Sequence, residues 1–299
     1  MVNKDTQLCI SVASSPSNFG TTLHNAAYAA LGLNFVYKAF EISDLAGALT
    51  GVRALNIRGC SVSMPFKEAA LPLLDHLDET AREVGAINSI VNSNGTLIGY
   101  NTDVVGANQA LKSIQAKPTD KVLLLGAGGV ARAIAFALQR MGLSQVKVSN
   151  RNLNKIKRIG SIQHCEIVPW EERNNVQADL LINATALGMS PHTNHSLMDV
   201  QFLHKTRAVM DVVVSHSETS LVKLARSMGK DVAPGYLMSL EQAVEQFRLY
   251  TGKVAPKDVM EQSMKQLLLN SQTEVVPEAN ESQKEKRNYL HCDEHNLEG

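Results

Sequence analysis

The sequence has no excess of charge of either sign and no long hydrophobic run. Its 299 residues include 29 Lys and Arg against 29 Asp and Glu. Balanced charge provides no long-range field that would draw the chain to nucleic acid or to an anionic membrane. No apolar stretch reaches the length that spans a bilayer, and the first residues, MVNKDTQLC, lack the basic-then-apolar pattern of a signal peptide. We therefore expect a cytoplasmic protein with a small-molecule partner, and neither nucleic acid nor membrane as a partner.

Cysteine is sparse and scattered. The chain has four, and none forms the C-x-x-C pair that zinc and redox sites usually need: Cys9, Cys60, Cys165 and Cys292. We expect buried thiols, or an exposed one at Cys292, and no metal site. The length is sufficient for two domains of ordinary size, each with its own core.

A strand, a glycine turn and a helix follow one another near the middle of the chain. Residues 122–125 are an unbroken apolar run, typical of a strand buried on both faces of a parallel sheet. Gly126, Gly128 and Ala131 then fall on the G-x-G-x-x-(G/A) spacing of a dinucleotide-binding βαβ unit, with a second strand at 146–149. An empty unit of the same build is the alternative, since glycine turns also join strands to helices in proteins that bind nothing. The residues expected to approach the pyrophosphate, at the helix N-terminus, are Gly126, Ala127, Gly128, Gly129 and Val130.

The end of that second strand indicates which dinucleotide is bound. An NAD site usually has Asp or Glu there to hold the ribose 2′-hydroxyl, whereas a basic residue suits a 2′-phosphate. Here the strand ends in Ser149, Asn150 and Arg151, and Lys155 follows one helical turn later. We therefore predict NADP, with Asn150, Arg151 and Lys155 among its contacts. The alternative is that both basic residues are simply solvated.

Strands and helices alternate along the rest of the chain, which predicts an α/β fold with two α/β domains. The first would be built on a parallel sheet and the second on a Rossmann-type sheet. We place the first at residues 1–103, completed by C-terminal helices at 239–270, and the second at 104–238. Residues 65–85 are predicted as a broken helix and residues 271–299 as a flexible polar tail.

Nine segments, in order, are typical of one family. They are SNFGTTLHN (17–25), VSMPFK (62–67), GAINSIVN (85–92), GYNTDVVG (99–106), LGAGGVARAI (125–134), NRNLNK (150–155), INATALGM (182–189), DVVVSHSET (211–219) and GYLMSLEQAVEQFRLYTG (235–252). Through them the chain resembles the shikimate dehydrogenase family from about residue 8 to residue 270. It is most like the divergent shikimate dehydrogenase-like subgroup, related to quinate/shikimate dehydrogenases.

The resemblance implies a substrate-binding N-terminal domain, an NADP-binding domain and a cleft between them. It also implies reversible hydride transfer between the nicotinamide and C3 of a cyclohexene carboxylate polyol such as shikimate. Lys67 of the PFK motif and Asp103 of the NTD motif match the family's catalytic pair. The chemistry requires such a pair, because reducing a ketone needs a proton donor at its oxygen as hydride reaches the carbon. Taken singly, Lys67 would be interpreted as an exposed lysine and Asp103 as a helix N-cap.

Other positions match the family's ligand contacts. Asn88 and Gln242 correspond to residues that hydrogen-bond the ring hydroxyls of the substrate, a shikimate-like carboxylate. The remaining cofactor contacts that the resemblance implies, around the nicotinamide, are Thr185, Gly188, Met189, Val212, Gly235 and Met238. The assembly is expected to be a monomer or a homodimer.

The substrate side departs from the family pattern. The Ser-x-Ser-Pro motif, whose hydroxyls hold the substrate carboxylate, is replaced by Asn18, Gly20 and Thr21. Ser61 stands where the family has asparagine, and Val214 where it commonly has tyrosine. Asn18, Gly20, Thr21 and Ser61 are still expected to line the substrate site, in a changed geometry. Each lost polar contact costs on the order of 1–3 kcal/mol of binding free energy, so we expect a shifted substrate or slow turnover of shikimate.

Two other functions are compatible with this pattern. One is a catalytically weak or inactive NADP-binding sensor or regulator that retains the fold. A sensor, however, has no need of the acid/base pair at Lys67 and Asp103. The other is a two-domain enzyme of similar layout, such as a folate dehydrogenase, which has no reason to keep the NTD and GYLM…Q segments together.

Overall fold

The computed structural model describes residues 2–189, 197–215 and 218–273, with side chains as far as residue 270, and contains two sheets flanked by helices. The strands of the first sheet are β1 (Gln7–Ala13), β2 (Phe35–Glu41), β3 (Gly59–Val62), β4 (His76–Leu77), β5 (Ser89–Ser93) and β6 (Thr96–Tyr100). Those of the second are β7 (Val122–Leu125), β8 (Val146–Ser149), β9 (Glu166–Val168), β10 (Leu180–Asn183), β11 (Ala208–Asp211) and β12 (Asp231–Ala233). The helices are α1 (Phe19–Ala30), α2 (Leu45–Ala54), α3 (Glu79–Val84), α4 (Asp103–Ser113), α5 (Gly129–Arg140), α6 (Leu153–Gly160), α7 (Val200–Lys205), α8 (Ser220–Ser227), α9 (Gly235–Thr251) and α10 (Lys257–Thr273).

The first sheet is mixed. Its order is β2-β1-β3-β5-β6-β4, and β1 pairs in parallel with both β2 and β3. β5 runs antiparallel to β3 and to β6. Between β5 and β6 lies the two-residue loop Asn94-Gly95, whose φ angles of 52° and 89° are both positive, as a type I′ hairpin turn requires. The parallel arrangement predicted from the alternation of the first strands and helices is found for β1 to β3. For β5 no direction was predicted; the Asn94-Gly95 turn reverses the chain, so the sheet as a whole is mixed.

The second sheet is parallel at every pairing among its described strands, in the order β12-β11-β10-β7-β8-β9. Its central strand β7 is buried along its whole length, as its apolar run predicted. From β7 the chain builds outward through β8 and β9, then returns to β10 on the other side. Open sheets of this kind bind ligands in the crevice at that reversal, outside the carboxyl ends of the strands. The α/β class with a Rossmann-type second sheet is confirmed.

Several segments differ in detail from the sequence prediction. Residues 65–85 contain a 3-10 helix at Leu71–Leu73, the short strand β4 and then α3. Pro72 has no amide hydrogen for a continuing α-helix, which explains the interruption. Helix α7 and a 3-10 helix at Trp170–Asn175 were not predicted, because six residues are too few to show a helical period. Helix α9 begins at Gly235, directly after Pro234, which is four residues earlier than the predicted start at residue 239.

The last two helices return to the first sheet. Helix α9 packs on α4, and α10 packs on α1. Phe247 and Tyr250 of α9 are buried in one apolar cluster with Leu23 and Tyr28 of α1. This confirms that C-terminal helices complete the N-terminal half of the fold, while the exact domain limits stay a prediction.

Helix α10 extends beyond the predicted end of the folded part. Helix α10 includes residues 271–273, the first residues of the predicted tail. The remainder of that tail, with Cys292, lies outside the described residues. Over the described part of the chain, the structure contains no helix with the length and apolar character needed to cross a membrane.

A buried arginine connects helix α5 with α3 and with the turn region after β3. Arg132, in the first turn of α5, is 2% exposed. Its Nε donates to the carbonyl oxygen of Val84 at 2.9 Å, and its Nη2 donates to that of Gly85 at 3.1 Å. Its Nη1 pairs with the Glu68 carboxylate at 2.9 Å, and Arg158 of α6 pairs with the other carboxylate oxygen. Partial burial alone would raise the pKa of Glu68, but the hydrogen bond and charge of Arg132 bring it below its ordinary value.

A second buried ionisable group lies inside the first half of the fold. His24 of α1 is fully buried and stacks on Tyr37, with ring centroids 4.5 Å apart and ring planes 8° apart. Phe247 lies on a near-parallel plane at 6.4 Å. Burial lowers the pKa of His24 from 6.5 to about 4, because a charged imidazolium is poorly solvated among aromatic rings. His24 is therefore neutral in the folded protein at pH 7.

This lowered pKa predicts a loss of stability in acid. Above pH 6.5 His24 is neutral in both states; between about pH 6.5 and pH 4 only the unfolded chain takes up the proton, so stability falls as pH falls. The pKa difference corresponds to about 3 kcal/mol of unfolding free energy. His24→Phe, which keeps an aromatic ring, should remove that part of the pH dependence in urea unfolding at pH 7 and pH 4.5. The exposed His164→Phe is the control and should behave as wild type. An unchanged pH dependence in His24→Phe would contradict the assignment.

Candidate active site

Lys67 and Asp103, distant in sequence, form an ion pair at the centre of the candidate site. Lys67 lies in the turn region after β3, and Asp103 is the first residue of α4. The Lys67 Nζ atom lies 2.5 Å from Asp103 Oδ2, and the two side chains are 15% and 7% exposed. Thr102, not Asp103, is the N-cap of α4. The pair is thus shielded from bulk water, while the ammonium remains accessible to a small molecule.

Asn88 holds the other oxygen of the carboxylate. Its Nδ2 donates to Asp103 Oδ1 at 2.9 Å, and it lies equally close to Gln242 Oε1 and 3.0 Å from Thr102 Oγ1. The amide has two hydrogens for these three acceptors. Its own oxygen accepts from the backbone N–H of Thr102 at 2.8 Å. The structure therefore brings Lys67, Asp103, Asn88 and Gln242 together, as the family pattern implied.

Gln246 belongs to the same network, and the sequence analysis did not predict it as a site residue. Its Nε2 donates to Ser89 Oγ at 2.8 Å and to Ser61 Oγ at 3.2 Å. The same nitrogen lies 3.3 Å from the carbonyl oxygen of Asn88. Gln246 follows Gln242 by one helical turn on α9, so the two amides share a face of that helix. The spacing of four residues between Gln242 and Gln246 could have predicted that Gln246 lies near the site.

The predicted substrate wall lies at the start of α1. Asn18 is the N-cap residue of that helix, and its exposed side chain makes no capping hydrogen bond. The Thr21 hydroxyl oxygen is buried with no hydrogen-bond partner. A Cβ placed on Gly20 would lie 3.0 Å from the Tyr37 hydroxyl oxygen, so Tyr37 occupies the space beside the missing side chain. Val214 lines a different cavity, with Gly235 and Tyr236.

A cavity of about 400 Å³ lies at the carboxyl edge of the second sheet. The predicted cofactor residues among those lining it are Gly126, Ala127, Gly128, Asn150, Arg151, Lys155 and Thr185. Other residues lining it are Asn152, Trp170, Ala184, Ala186 and Leu187. Trp170 is the aromatic residue among them, and the sequence analysis did not predict it as a cofactor contact. It follows β9 at the same edge of the sheet.

The remaining predicted cofactor residues lie outside the lining of this cavity. A Cβ placed on Gly129 would lie 3.7 Å from Lys67 Cδ, so the glycine turn adjoins the ion pair. Met238 is 5% exposed and packs against Gly106 of α4. The others are Val130 in the first turn of α5, Gly188 and Met189 on the loop after β10, Val212 just after β11, and Gly235 at the start of α9.

The two glycines of the turn have different reasons to be glycine. Gly126 has a φ of +107°, and a Cβ there would lie 2.6 Å from the carbonyl oxygen of Ala184. Gly128 has a φ of −82°, and a Cβ there would meet nothing within 4 Å. Gly128 is also the N-cap of α5, where no side chain occupies the free N–H groups. An open backbone surface, an uncapped helix and the basic side chains of Arg151 and Lys155 fit a phosphorylated dinucleotide.

Metal chemistry has no support in the described part of the chain. No group of three or more His, Cys, Asp or Glu side chains there is arranged to hold a metal ion.

Family models match three stretches of this chain. The shikimate dehydrogenase substrate binding domain matches residues 11–90, and shikimate / quinate 5-dehydrogenase matches residues 108–216. The shikimate 5′-dehydrogenase C-terminal domain matches residues 235–265. The three matches follow the order expected from the sequence.

Individual proteins are similar over most of their length. A shikimate dehydrogenase-like protein of Haemophilus influenzae is 41% identical over 255 residues, which are 84% of this chain and 93% of the relative. A shikimate dehydrogenase (NADP(+)) of Pyrococcus abyssi is 40% identical over 238 residues, 77% of this chain and 86% of the relative.

Solved structures share the fold. A shikimate 5-dehydrogenase-like protein superposes with a TM-score of 0.81 at 38% identity, covering 89% of this chain and 98% of the other. Quinate dehydrogenase from Corynebacterium glutamicum in complex with NAD has a TM-score of 0.81 at 30% identity, with coverage of 87% and 99%. Shikimate 5-dehydrogenase from Thermus thermophilus in complex with NADP(H) and shikimate has a TM-score of 0.78 at 31% identity, with coverage of 89% and 99%.

The glycine turn generates a matched pair of stability predictions. Gly126→Ala places a methyl group against backbone at a positive φ, and should cost about 1–3 kcal/mol of unfolding free energy. Gly128→Ala meets open space at an ordinary φ, and should stay within about 1 kcal/mol of wild type. Urea unfolding of the two variants measures both. Equal destabilisation by the two substitutions would contradict this account of the turn.

Proposed function

The chain belongs to the shikimate dehydrogenase family and is an NADP-dependent oxidoreductase, and from this premise we propose that it interconverts 3-dehydroshikimate and shikimate, or a related alicyclic keto and hydroxy acid. The observation that carries the proposal is the shielded Lys67–Asp103 pair, with Nζ and Oδ2 2.5 Å apart. Lys67 also adjoins the glycine turn at Gly129. The proposed proton donor therefore adjoins the glycine turn whose residues Gly126 to Gly128 line the cavity.

Lys67 acts as the general acid in ketone reduction and as the general base in alcohol oxidation. Bound NADPH would supply the hydride. The ammonium donates its proton to the carbonyl oxygen of the substrate, which stabilises the alkoxide that develops there. Asp103 orients the ammonium and balances its charge, and Asn88 fixes the carboxylate from the other side. In the reverse direction Lys67 takes the proton back from the hydroxyl.

The substrate's polar groups meet the walls of the same site. Asn88 and Gln242 would bind ring hydroxyls, because their amides lie next to the ion pair. The buried Thr21 hydroxyl without a partner and the Asn18 amide are donors available to a carboxylate. The hydroxyls that the family places at positions 18 and 20 are absent, which favours a substrate preference shifted from that of typical shikimate dehydrogenases.

The cofactor site favours NADP over NAD for a charge reason. Arg151 and Lys155 line the cavity directly after β8, where an NAD site would have an acidic side chain. Both can pair with a 2′-phosphate. An NADP sensor of the same fold would have no use for the Lys67–Asp103 pair, so an enzyme is favoured over a sensor.

The catalytic role predicts a selective loss of turnover. Shikimate, quinate and aminoshikimate are each offered with NADP and with NAD, and nicotinamide absorbance gives kcat and KM. Lys67→Ala should lower kcat by about 10²–10⁴-fold on the best substrate, with NADPH binding by calorimetry unchanged. Lys112→Ala, an exposed lysine of α4, is the control and should keep full activity.

Two outcomes would contradict the proposal. A kcat of Lys67→Ala equal to that of wild type would show that Lys67 is not the general acid. No turnover of any of the three substrates, in a protein that still binds NADPH, would overturn the substrate half and leave the cofactor assignment intact.

The proposed contact of Arg151 and Lys155 with the 2′-phosphate predicts that their substitution affects KM for NADP and not KM for NAD. Arg151→Ala and Lys155→Ala should each raise KM for NADP about 10-fold, since a hydrogen bond to a charged group contributes about 1.5–3 kcal/mol. KM for NAD should change little, because NAD has no 2′-phosphate. Lys157→Ala, on the same helix but outside the cavity lining, is the control. Parallel increases for NADP and NAD would argue against a phosphate contact.

A further inference from the structure

The chain's single tryptophan lines the cofactor cavity. Trp170 begins the 3-10 helix Trp170–Asn175, two residues after the end of β9. Since β9 pairs in parallel with β8, their carboxyl ends share one edge of the sheet. The loop after β8, with Arg151 and Asn152, borders the same cavity.

The indole is held in place by the protein. The Arg173 guanidinium lies over the indole ring at 4.4 Å from its centroid. Arg173 is itself anchored, because its Nη1 donates to the carbonyl oxygen of Trp170 at 2.6 Å and its Nε donates to that of Leu197 at 3.0 Å. Trp170 also packs against an apolar cluster to which β7, β10 and α7 contribute. A ring fixed in this way loses little freedom when a ligand packs against it.

The cavity walls differ in chemistry. Arg151 and Lys155 bring positive charge, whereas Trp170 and Leu187 bring an aromatic and an apolar surface. A flat aromatic ring with a phosphate a few bonds away matches both walls at once. In the adenosine 2′-phosphate part of NADP the phosphate stands on the ribose carbon next to the one that bears the ring. In the nicotinamide part the phosphate is at the more distant 5′ position, and the oxidised ring is itself a cation that Arg151 and Lys155 would repel.

We propose that Trp170 is the packing surface for the adenine ring of NADP. This inference rests on the cofactor assignment of the proposed function and adds to it the residue that recognises the purine. Stacking between a base and an aromatic side chain typically strengthens binding by about 10-fold or more. The effect should fall on cofactor affinity and leave the proton-transfer step unchanged.

The test uses a ligand that lacks the nicotinamide. Adenosine 2′,5′-bisphosphate is titrated into the full chain while tryptophan fluorescence, which reports Trp170 alone, is followed. We expect a saturable change in emission. Nicotinamide mononucleotide at the same concentrations should produce none.

Substitutions of Trp170 then distinguish stacking on an aromatic ring from packing against apolar volume. Trp170→Phe keeps an aromatic face and should hold the bisphosphate within about 3-fold of the wild-type Kd by calorimetry. Trp170→Leu keeps apolar volume without a ring and should raise the Kd for the bisphosphate and for NADPH about 10-fold. Glu172→Ala, an exposed residue of the same 3-10 helix outside the cavity lining, is the control and should match wild type. Unfolding curves in urea confirm that each variant is folded.

The outcomes distinguish this inference from the proposed function. Equal Kd values for Trp170→Leu and wild type, or no fluorescence change on titration, would overturn the role of Trp170. Tryptophan-dependent binding of the bisphosphate in a protein that turns over none of the three acids would support the role while the substrate proposal fails. Binding of neither the bisphosphate nor NADPH to wild type would overturn both the cofactor assignment and the role of Trp170.

Discussion

The contact on which the site depends is the buried guanidinium of Arg132. It lies one turn into α5, directly after the glycine turn, and donates to two backbone carbonyl oxygens at the end of α3 and to Glu68. Glu68 follows Lys67 in the chain. This side chain thus connects the helix that follows the glycine turn to the segment that carries Lys67. A buried arginine left without these acceptors would be strongly destabilising, so this contact stabilises the packing of α5 against α3.

A polar network surrounds the Lys67–Asp103 ion pair. Lys67, Asn88, Asp103 and Gln246 come from four different parts of the chain, yet each has a hydrogen-bond partner within the group or beside it. Buried polar groups are costly when unpaired and specify a single geometry when fully paired. Buried side-chain atoms without a partner include the Thr21 hydroxyl, on the predicted substrate side, and Asn101 Oδ1 and Ser149 Oγ elsewhere. Both oxygens of the Asp103 carboxylate are therefore held, one by Lys67 and the other by Asn88.

Prediction from sequence succeeded where the signal was local. Strand β8 was placed at its observed limits and β7 as a buried central strand, because an apolar run, a glycine turn and a helix are adjacent in sequence. The direction of β5 was not predicted; it is set by the Asn94-Gly95 turn, which makes β5 and β6 an antiparallel hairpin. Helix α7 was missed because six residues carry too little periodicity.

The sequence by itself determined the α/β class, the glycine turn, the basic residues after β8 and the residue types of the proposed acid/base pair, since each of these is encoded by neighbouring residues or by a family motif. Tertiary structure decided which side chains meet. Lys67 and Asp103 are 36 positions apart, and Asn88 and Gln242 are 154 apart. Trp170 reaches the cofactor cavity only because β9 lies beside β8. Sequence patterns encode the direction and the buried face of each element, whereas contacts across such separations are set by how the elements pack.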